Sequence, residues 1–450
     1  MKEQDKFILD IKRMGINGEG IGYYNKLAIF VKDAIPGEGV DIEITKSLPN
    51  MAYGKINTIK RKSKYRVEPR CKYYLDCGAC QTMHIDNNKM GEFKRDLVIE
   101  SLRRYTDLNP HSFEIKPTLV MEEPWHYRNK STLAVRRVNG QNMVAMIKEG
   151  TNTTFGVDTC LVQDEKINDV NSKLIKLSNK LNIASFGCDN YSLRYISTRC
   201  SKATRETQVC LIVKEYNSEI KGFVKNILIE GICDSLYVNI NNDLHTHELF
   251  GEKTIHVGGK EAIIEQIDRY KFNIYPTTFF QLNTSQTEVL YKEVLKACKL
   301  THKETVLDAY CGVGTIATYL ASFSKNVVGI EYSGDSVVAA KENLKLNKKK
   351  NITYYQGDVV KLLPKLINNG MVFDVMVFDP PRTGLGEDTI NTIINSKVEK
   401  LVYVSCNHST LAKDLAKLTE YYNIKYIQPV DMFPNTSHVE CVCRLERKNK

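Results

Sequence analysis

No run of apolar residues in this chain of 450 is long enough to cross a bilayer, and the opening MKEQDKFILDIKR lacks the apolar stretch and small-residue cleavage site of a secretory signal. A soluble protein of the cytoplasm, without membrane attachment, is expected. Internal repeats and low-complexity tracts are absent as well. Acidic residues are the scarcer charge, 53 Asp and Glu against 63 Lys and Arg, and the net charge of +10 suggests an anionic partner. In a reducing compartment the 13 cysteines are not expected to pair as disulfides, so any cluster among them reads first as metal ligands or catalytic thiols.

A chain this long exceeds what one hydrophobic core fills, and two or three domains are expected. From Phe7 to about Ile59 the segments FILDIKRM, LAIFVKDA and VDIEITKSL alternate between turn clusters NGEGIG and IPGEG, the pattern of a small OB-like β-barrel. The stretch GEGIGYYNKLAIFVKDAIPGEGV resembles the TRAM domain, a compact RNA-binding barrel at the front of several RNA-modifying enzymes. A basic run follows, Lys60, Arg61, Lys62, Lys64, Arg66 and Arg70 opposed only by Glu68; it reads either as a solvated linker or as a phosphate-binding surface. Residues 61–274 then read as a mixed α/β central domain, with the charged helical stretch NKMGEFKRDLVIESLRRY and strands such as STLAVRRV and SLYVNI. Across 275–450 apolar strands (TVLDAY, NVVGIEY, FDVMVFD, LVYVSC) alternate with amphipathic helices, which predicts a Rossmann-like, doubly wound parallel sheet. The expected division is therefore 1–60, 61–274 and 275–450.

VLDAYCGVGTIATYL is a strand that ends at Asp308, turns through Gly312 and Gly314, and opens a helix; glycines there let backbone approach a ligand at the carboxyl end of the strand. Gly312, Gly314 and Ala317 also satisfy the relaxed dinucleotide fingerprint, so NAD or FAD is the rival ligand. An acid at the strand end shifts the balance. Asp308 would repel a pyrophosphate and attract the ammonium and sulfonium of S-adenosylmethionine. Glu331, closing the next strand, suits the ribose hydroxyls of either cofactor, and Asp358 would lie at the third strand tip.

FDVMVFDPPRTGL places Asp379 at the end of a buried strand before a rigid Pro380-Pro381 turn, an arrangement that methyltransferases acting on exocyclic nitrogens also use. LVYVSCNHST adds Cys406 at a strand tip, just before a helix expected to begin near Ser409 or Thr410, whose N-terminus would favour the thiolate.

Taken with SHVECV, the motifs DAYCGVGT, FDPPRTGL and VSCN resemble the RNA uracil-C5 methyltransferase family, which makes 5-methyluridine. The resemblance implies that Cys406 adds to uracil C6 and that Glu440 abstracts the C5 proton. It implies cofactor contacts at Gln281 and Tyr310, beside Asp308, Gly312, Gly314, Glu331, Asp358 and Asp379. Phe279 or Phe280 would stack on an extruded base, and WHYRNKSTLAVRR resembles a substrate-side segment whose Arg128, Lys130, Arg136 and Arg137 would meet phosphates, with Tyr127 free to stack.

Cys71, Cys77 and Cys80 are spaced C-x5-C-x2-C, and the resemblance supplies Cys160 as a fourth ligand. Four thiolates suit tetrahedral zinc or a [4Fe-4S] cluster, and spacing does not separate the two. The family resemblance favours the cluster. It also implies RNA as the partner, with no obligate protein partner: 23S ribosomal RNA first, because a TRAM barrel with this cluster is typical of the large-subunit enzymes, and transfer RNA second. The rivals are a non-catalytic RNA-binding factor, which would not need Cys406, Glu440, Asp379 and Gln281 together, and an N-methyltransferase, which would not need Cys406.

Overall fold

The computed structural model describes residues 1–186, 188, 192–243 and 248–449. Five strands, β1 (Lys6–Met14), β2 (Gly20–Tyr24), β3 (Leu27–Val31), β4 (Gly39–Leu48) and β5 (Met51–Arg61), close into a barrel in the order β1-β2-β3-β5-β4. Alternation sends Leu9, Ile11, Ile29, Val31, Val40, Ile42 and Ile44 inward, where they are buried. A side chain at Gly22 would lie 2.6 Å from the Asp10 carbonyl and clash with Leu9, so the tight crossing of β1 and β2 requires glycine. The basic run after the barrel is largely spoken for. Arg66 pairs with the buried Glu38 at 2.7 Å, Arg61 with Asp10 at 2.8 Å, and Arg70 lies 4.7 Å over the Trp125 ring. Most of that run folds back on the protein.

Helix α1 (Asn87–Tyr105) is started by the Asp86 side chain, which accepts from the Asn88 and Lys89 amides, and is followed by the short strand β6 (Glu114–Ile115). The central sheet consists of β7 (Lys130–Val138), β8 (Gln141–Ile147), β9 (Thr154–Gly156), β10 (Leu193–Cys200), β11 (Thr207–Val213), β12 (Ser235–Ile240) and β13 (Lys253–Gly259), ordered β13-β12-β11-β10-β7-β8-β9. Helices α2 (Glu165–Lys180) and α3 (Ser218–Ile229) cover its core, with Leu174, Leu177, Phe223 and Ile227 packed on Leu193, Ile196, Leu211 and Val238. A hairpin, β14 (Ile263–Ile267) and β15 (Tyr270–Ile274), leads to α4 (Thr284–Cys298).

The C-terminal unit runs β16 (Thr305–Ala309), α5 (Thr315–Leu320), β17 (Asn326–Glu331), α6 (Gly334–Leu346), β18 (Ile352–Gln356), α7 (Val359–Asn368), β19 (Val375–Phe378), α8 (Glu387–Ser396), β20 (Lys400–Ser405), α9 (His408–Leu418), β21 (Tyr422–Val430) and β22 (Glu440–Arg447). Its eight-stranded sheet is ordered β18-β17-β16-β19-β20-β22-β21-β6. Strand order reverses at β16, and the carboxyl ends of β16 and β19 flank that switch point, the place where ligands bind in sheets of this kind. This is the α/β, doubly wound architecture that the strand and helix alternation predicts. The segment 87–115 differs from expectation. Although it falls within 61–274, α1 packs Val98 and Leu102 into the core that holds Leu411 and Leu415 of α9, and β6 pairs with the edge strand β21.

Candidate active site

The first three strand tips gather the residues that face a cofactor crevice. Between β16 and α5 the chain turns sharply, with Tyr310 (φ 64°), Gly312 (φ 54°) and Gly314 (φ 79°) all left-handed. A Cβ at Gly314 would lie 2.2 Å from the Tyr354 hydroxyl, whereas at Gly312 no atom lies within 4 Å, so glycine serves backbone conformation alone there. Tyr310, which is not glycine, holds a conformation of the kind that concentrates at functional sites. Asp308 is fully buried and neither carboxyl oxygen has a hydrogen-bond partner. Burial first, and then the charge of Asp379, pushes its carboxyl well above the usual range, with only the Ala317 amide drawing the other way.

Glu331 at the tip of β17 accepts from the amides of Gly312 (3.0 Å) and Ser333 (2.8 Å), which fixes its orientation and leaves carboxylate lone pairs for further donors. Asp358, the third tip, caps α7 by accepting from the Val360 amide at 3.0 Å. Its side chain is thus at least partly a structural cap.

Cys406, Glu440 and Asp379 come together for a reason of register. Antiparallel pairing of β20 with β22 sets Ser405 against Cys441, so the next residues along each strand, Cys406 and Glu440, fall opposite one another. Parallel pairing of β19 with β20 sets Phe378 against Tyr403, which brings Asp379 to the same strand ends. Burial, and then the charge of Asp379, lifts Glu440 to about 8; burial lifts Asp379 to about 7. Cys406 is half-buried, and burial followed by the charges of Glu440 and Asp379 pushes its thiol up to about 11, while Arg382 pulls it down.

α9 begins at His408, and the Asn407 side chain accepts from the Ser409 and Thr410 amides, so two of the first helix donors are already taken. Burial first, and then the charges of Glu440 and Asp379, act on the Cys406 thiol in the direction opposite to that expected of a helix N-terminus. Arg382, one residue past the Pro-Pro turn, is the cation that favours the thiolate, and its place in FDPPRTGL was the available signal.

Gln281 lies nine per cent exposed just before α4, with its backbone carbonyl held by the Asn129 side chain at 2.9 Å. The two phenylalanines divide. Phe280 packs in the core, and Phe279 stands 67 % exposed and available to a base. Tyr127 is buried with its hydroxyl donated to the Pro434 carbonyl at 3.0 Å, so it is not free to stack. Lys130 donates to the Pro276 carbonyl at 3.2 Å, and burial pulls its ammonium down to about 7, which argues against a phosphate contact. Arg136 rests 4.1 Å over the Phe186 ring; Arg137 is exposed and Arg128 half-buried.

Cys71, Cys77, Cys80 and Cys160 are all free and half-buried. They are neighbours. Burial raises Cys71, Cys77 and Cys80, Cys80 to about 12, and the charge of Cys160 adds to each. Asn168 clamps Cys160 by accepting from its amide and donating to its carbonyl. Among the described residues no three His, Cys, Asp or Glu side chains are arranged to hold a metal ion. Of the remaining cysteines, Cys200, Cys210, Cys298, Cys311, Cys441 and Cys443 are buried, and Cys188 and Cys233 are half-buried.

A doubly wound sheet with an antiparallel final strand inserted beside β20, carboxylates at successive strand tips and a left-handed glycine turn defines the S-adenosylmethionine-dependent methyltransferase class. Residues 102–448 match the model described as tRNA (Uracil-5-)-methyltransferase and residues 7–56 match the TRAM domain, so the chain belongs to the tRNA (uracil-5-)-methyltransferase family and is an RNA methyltransferase. It is 39 % identical, over its whole length and 99 % of the relative, to an RNA methyltransferase of Listeria monocytogenes with no assigned target. A similar relative in Bacillus cereus is 38 % identical across 98 % of this chain and 97 % of its own. Among solved structures, the Pyrococcus abyssi tRNA (uracil-54, C5)-methyltransferase in complex with S-adenosyl-L-homocysteine superposes with a TM-score of 0.76 at 26 % identity, covering 97 % of this chain and 99 % of that one. No helix among the described residues is long and apolar enough to cross a membrane.

Proposed function

We propose that this enzyme methylates C5 of a uridine in 23S ribosomal RNA in the cytoplasm, giving 5-methyluridine through a covalent bond between Cys406 and uracil C6. The observation that carries this reading is the register that sets Cys406 opposite Glu440 with Asp379 alongside, at the strand ends of the ligand crevice.

Uracil C5 is too poor a nucleophile to take a methyl group directly. Cys406 first gives up its proton to Asp379, with Arg382 easing the negative charge, and Sγ bonds to C6, while Glu440 stays deprotonated for the later step. The electron pair of the C5–C6 double bond moves into an enolate with charge on C5. C5 then takes the methyl group that the sulfonium of a bound S-adenosylmethionine would supply, the S–CH3 bonding pair staying on sulfur, which leaves as a neutral thioether. Glu440, whose carboxyl sits near 8, removes the C5 proton; the electrons of that bond restore the double bond and expel the Cys406 thiolate. Asp308, Glu331, Gly312 and Gly314 fit the cofactor because the carboxyl of Asp308 is buried without a partner and the turn leaves space at Gly312. Asp358, Asp379, Gln281 and Tyr310 complete the proposed contacts, and Phe279 the base stack.

Cys71, Cys77, Cys80 and Cys160 would hold a [4Fe-4S] cluster. Support comes from the donor set: four free, half-buried cysteines, of which Cys71, Cys77 and Cys80 each feel the charge of Cys160. In this reading the cluster staples the segment after the barrel to the central sheet. Iron and sulfide quantification on anaerobically purified protein tests it, and zinc in place of iron would contradict it.

The pairing of TRAM barrel with four cysteines supports the ribosomal target. A second reading, transfer RNA, is favoured by the likeness to the Pyrococcus abyssi tRNA (uracil-54, C5)-methyltransferase. Mass mapping of 23S and transfer RNA from cells with and without this protein separates them. Loss of a 5-methyluridine from 23S RNA alone is expected, loss from transfer RNA alone moves the assignment there, and no loss from either contradicts both.

A further inference from the structure

Residues 431–439, DMFPNTSHV, join β21 to β22 and deliver Glu440 to the site without forming helix or strand. Backbone carbonyls in such a segment are normally left to solvent or to local turns. Here five in succession are claimed by donors from distant parts of the chain. The Asp431 carbonyl accepts from Gln286 at 2.9 Å and that of Met432 from Asn283 at 3.0 Å, both at the start of α4. The Phe433 carbonyl accepts from the Lys94 ammonium at 3.2 Å, that of Pro434 from the Tyr127 hydroxyl at 3.0 Å, and that of Asn435 from the Thr82 amide at 3.1 Å. Ser437 in turn donates to the Ile16 carbonyl of the barrel at 2.7 Å.

The strongest of these ties is an ion pair. Lys94, on the apolar face of α1 and fully buried, also donates to the Asp431 carboxylate, itself fully buried. Buried ion pairs add little net stability over apolar packing, and the second Asp431 oxygen is left without a partner. Geometry is the more economical reason for keeping it. The same helix reaches the nucleophile's side of the site, because Ser101 meets the His408 ring at 2.6 Å, two residues beyond Cys406.

We propose that Lys94, through Asp431 and Phe433, and Tyr127, through Pro434, are positioning residues that hold Glu440 at its working place opposite Cys406. This rests on the reading of Glu440 as the proton-abstracting base. Loosening the segment then damages proton removal more than formation of the covalent bond. A displacement of order 1 Å lowers a positioned step by about 10²-fold.

The test uses the full-length enzyme with two RNA substrates. A 5-fluorouridine oligonucleotide stops after methyl transfer, because fluorine at C5 is not abstracted, so it reads Cys406 addition and methylation alone. The uridine oligonucleotide also requires the base. For Tyr127→Phe, which removes one hydroxyl, turnover on uridine falls about tenfold, methylated covalent adduct accumulates, and the trapping rate on 5-fluorouridine stays within about twofold. Lys94→Met shows the same pattern at about 10²-fold; should it fail to fold, Tyr127→Phe decides alone. Equal losses on both substrates, or no loss on either, would overturn the positioning role. Glu440→Gln is the control: if it turns over uridine without accumulating adduct, the assignment of Glu440 itself is wrong, and that failure is distinct from a Tyr127→Phe enzyme that behaves as wild type beside a blocked Glu440→Gln.

Discussion

Two groups of thiols share one chain and differ in what surrounds them. Cys406 and the set Cys71, Cys77, Cys80 and Cys160 are all half-buried, and burial raises Cys406, Cys71, Cys77 and Cys80. Around Cys406 stand Glu440 and Asp379, whose carboxyls sit near 8 and 7, and Arg382. Such carboxyls exchange protons near neutrality, and in the proposed mechanism Asp379 takes the thiol proton and returns it when the adduct breaks. Around Cys71, Cys77 and Cys80 stand one another and Cys160, whose charge raises all three. The contrast teaches that exposure alone does not distinguish the two thiol environments; the neighbours do.

Substitutions sharpen that contrast. Cys406→Ala should cut methylation by at least ~10⁴-fold while leaving the melting temperature within a degree or two, since the side chain is half-exposed and unpaired. Glu440→Gln should slow turnover by about 10²- to 10⁴-fold and leave methylated protein–RNA adduct visible on denaturing gels. Replacing Cys80 by serine should act the other way round: loss of iron and a melting temperature lower by roughly 5–10 °C, corresponding to about 2–3 kcal/mol, with trapping per folded molecule little changed. A Cys80→Ser enzyme that kept its iron and stability would erase the distinction.

Two smaller effects read the neighbours directly. Removing Glu440's charge in Glu440→Gln lowers the Cys406 pKa, and Arg382→Ala raises it, so alkylation by iodoacetamide at pH 8 should speed up severalfold in the first and slow severalfold in the second. With pH, kcat/KM should rise through a limb near 8, because Glu440 must be deprotonated to act as base. Stability moves oppositely. The folded protein holds protons on Glu440 and Asp379 more tightly than the unfolded chain, so their contribution is full below the ordinary carboxylate range, and is lost as pH climbs from about 4 through about 8. Thermal melts across that range check the sign.

How much was legible in the sequence follows from how local each signal is. The C-terminal strands are apolar runs with short connections and are read directly, as are the strand-tip residues Asp308, Glu331, Asp379 and Cys406, since a parallel sheet puts all carboxyl ends on one side. The central sheet resisted ordering, because β7 pairs with β10 across an intervening helix and two further strands. α1 shows its amphipathic face, but not its partner α9, which lies some 300 residues onward. Lys94 looks like any charge in NKMGEFKRDL; only the fold brings Asp431 to it. Tyr127 and Lys130 sit in a basic, aromatic segment that suggests RNA contact, yet both are spent on carbonyls of other loops. Around Cys406 the helix N-terminus is legible because it is local, whereas the burial of the thiol and the two carboxylates that strands β19 and β22 bring beside it are not.

The central claim is that a sulfur–carbon bond forms between Cys406 and the pyrimidine, and trapping reads it most directly. Enzyme, S-adenosylmethionine and a 5-fluorouridine oligonucleotide of the target sequence should give a denaturation-resistant complex of one protein and one RNA, and peptide mass mapping should place the link on Cys406. A complex that still forms with Cys406→Ala, or the absence of any complex under conditions where uridine RNA is methylated, would contradict the account.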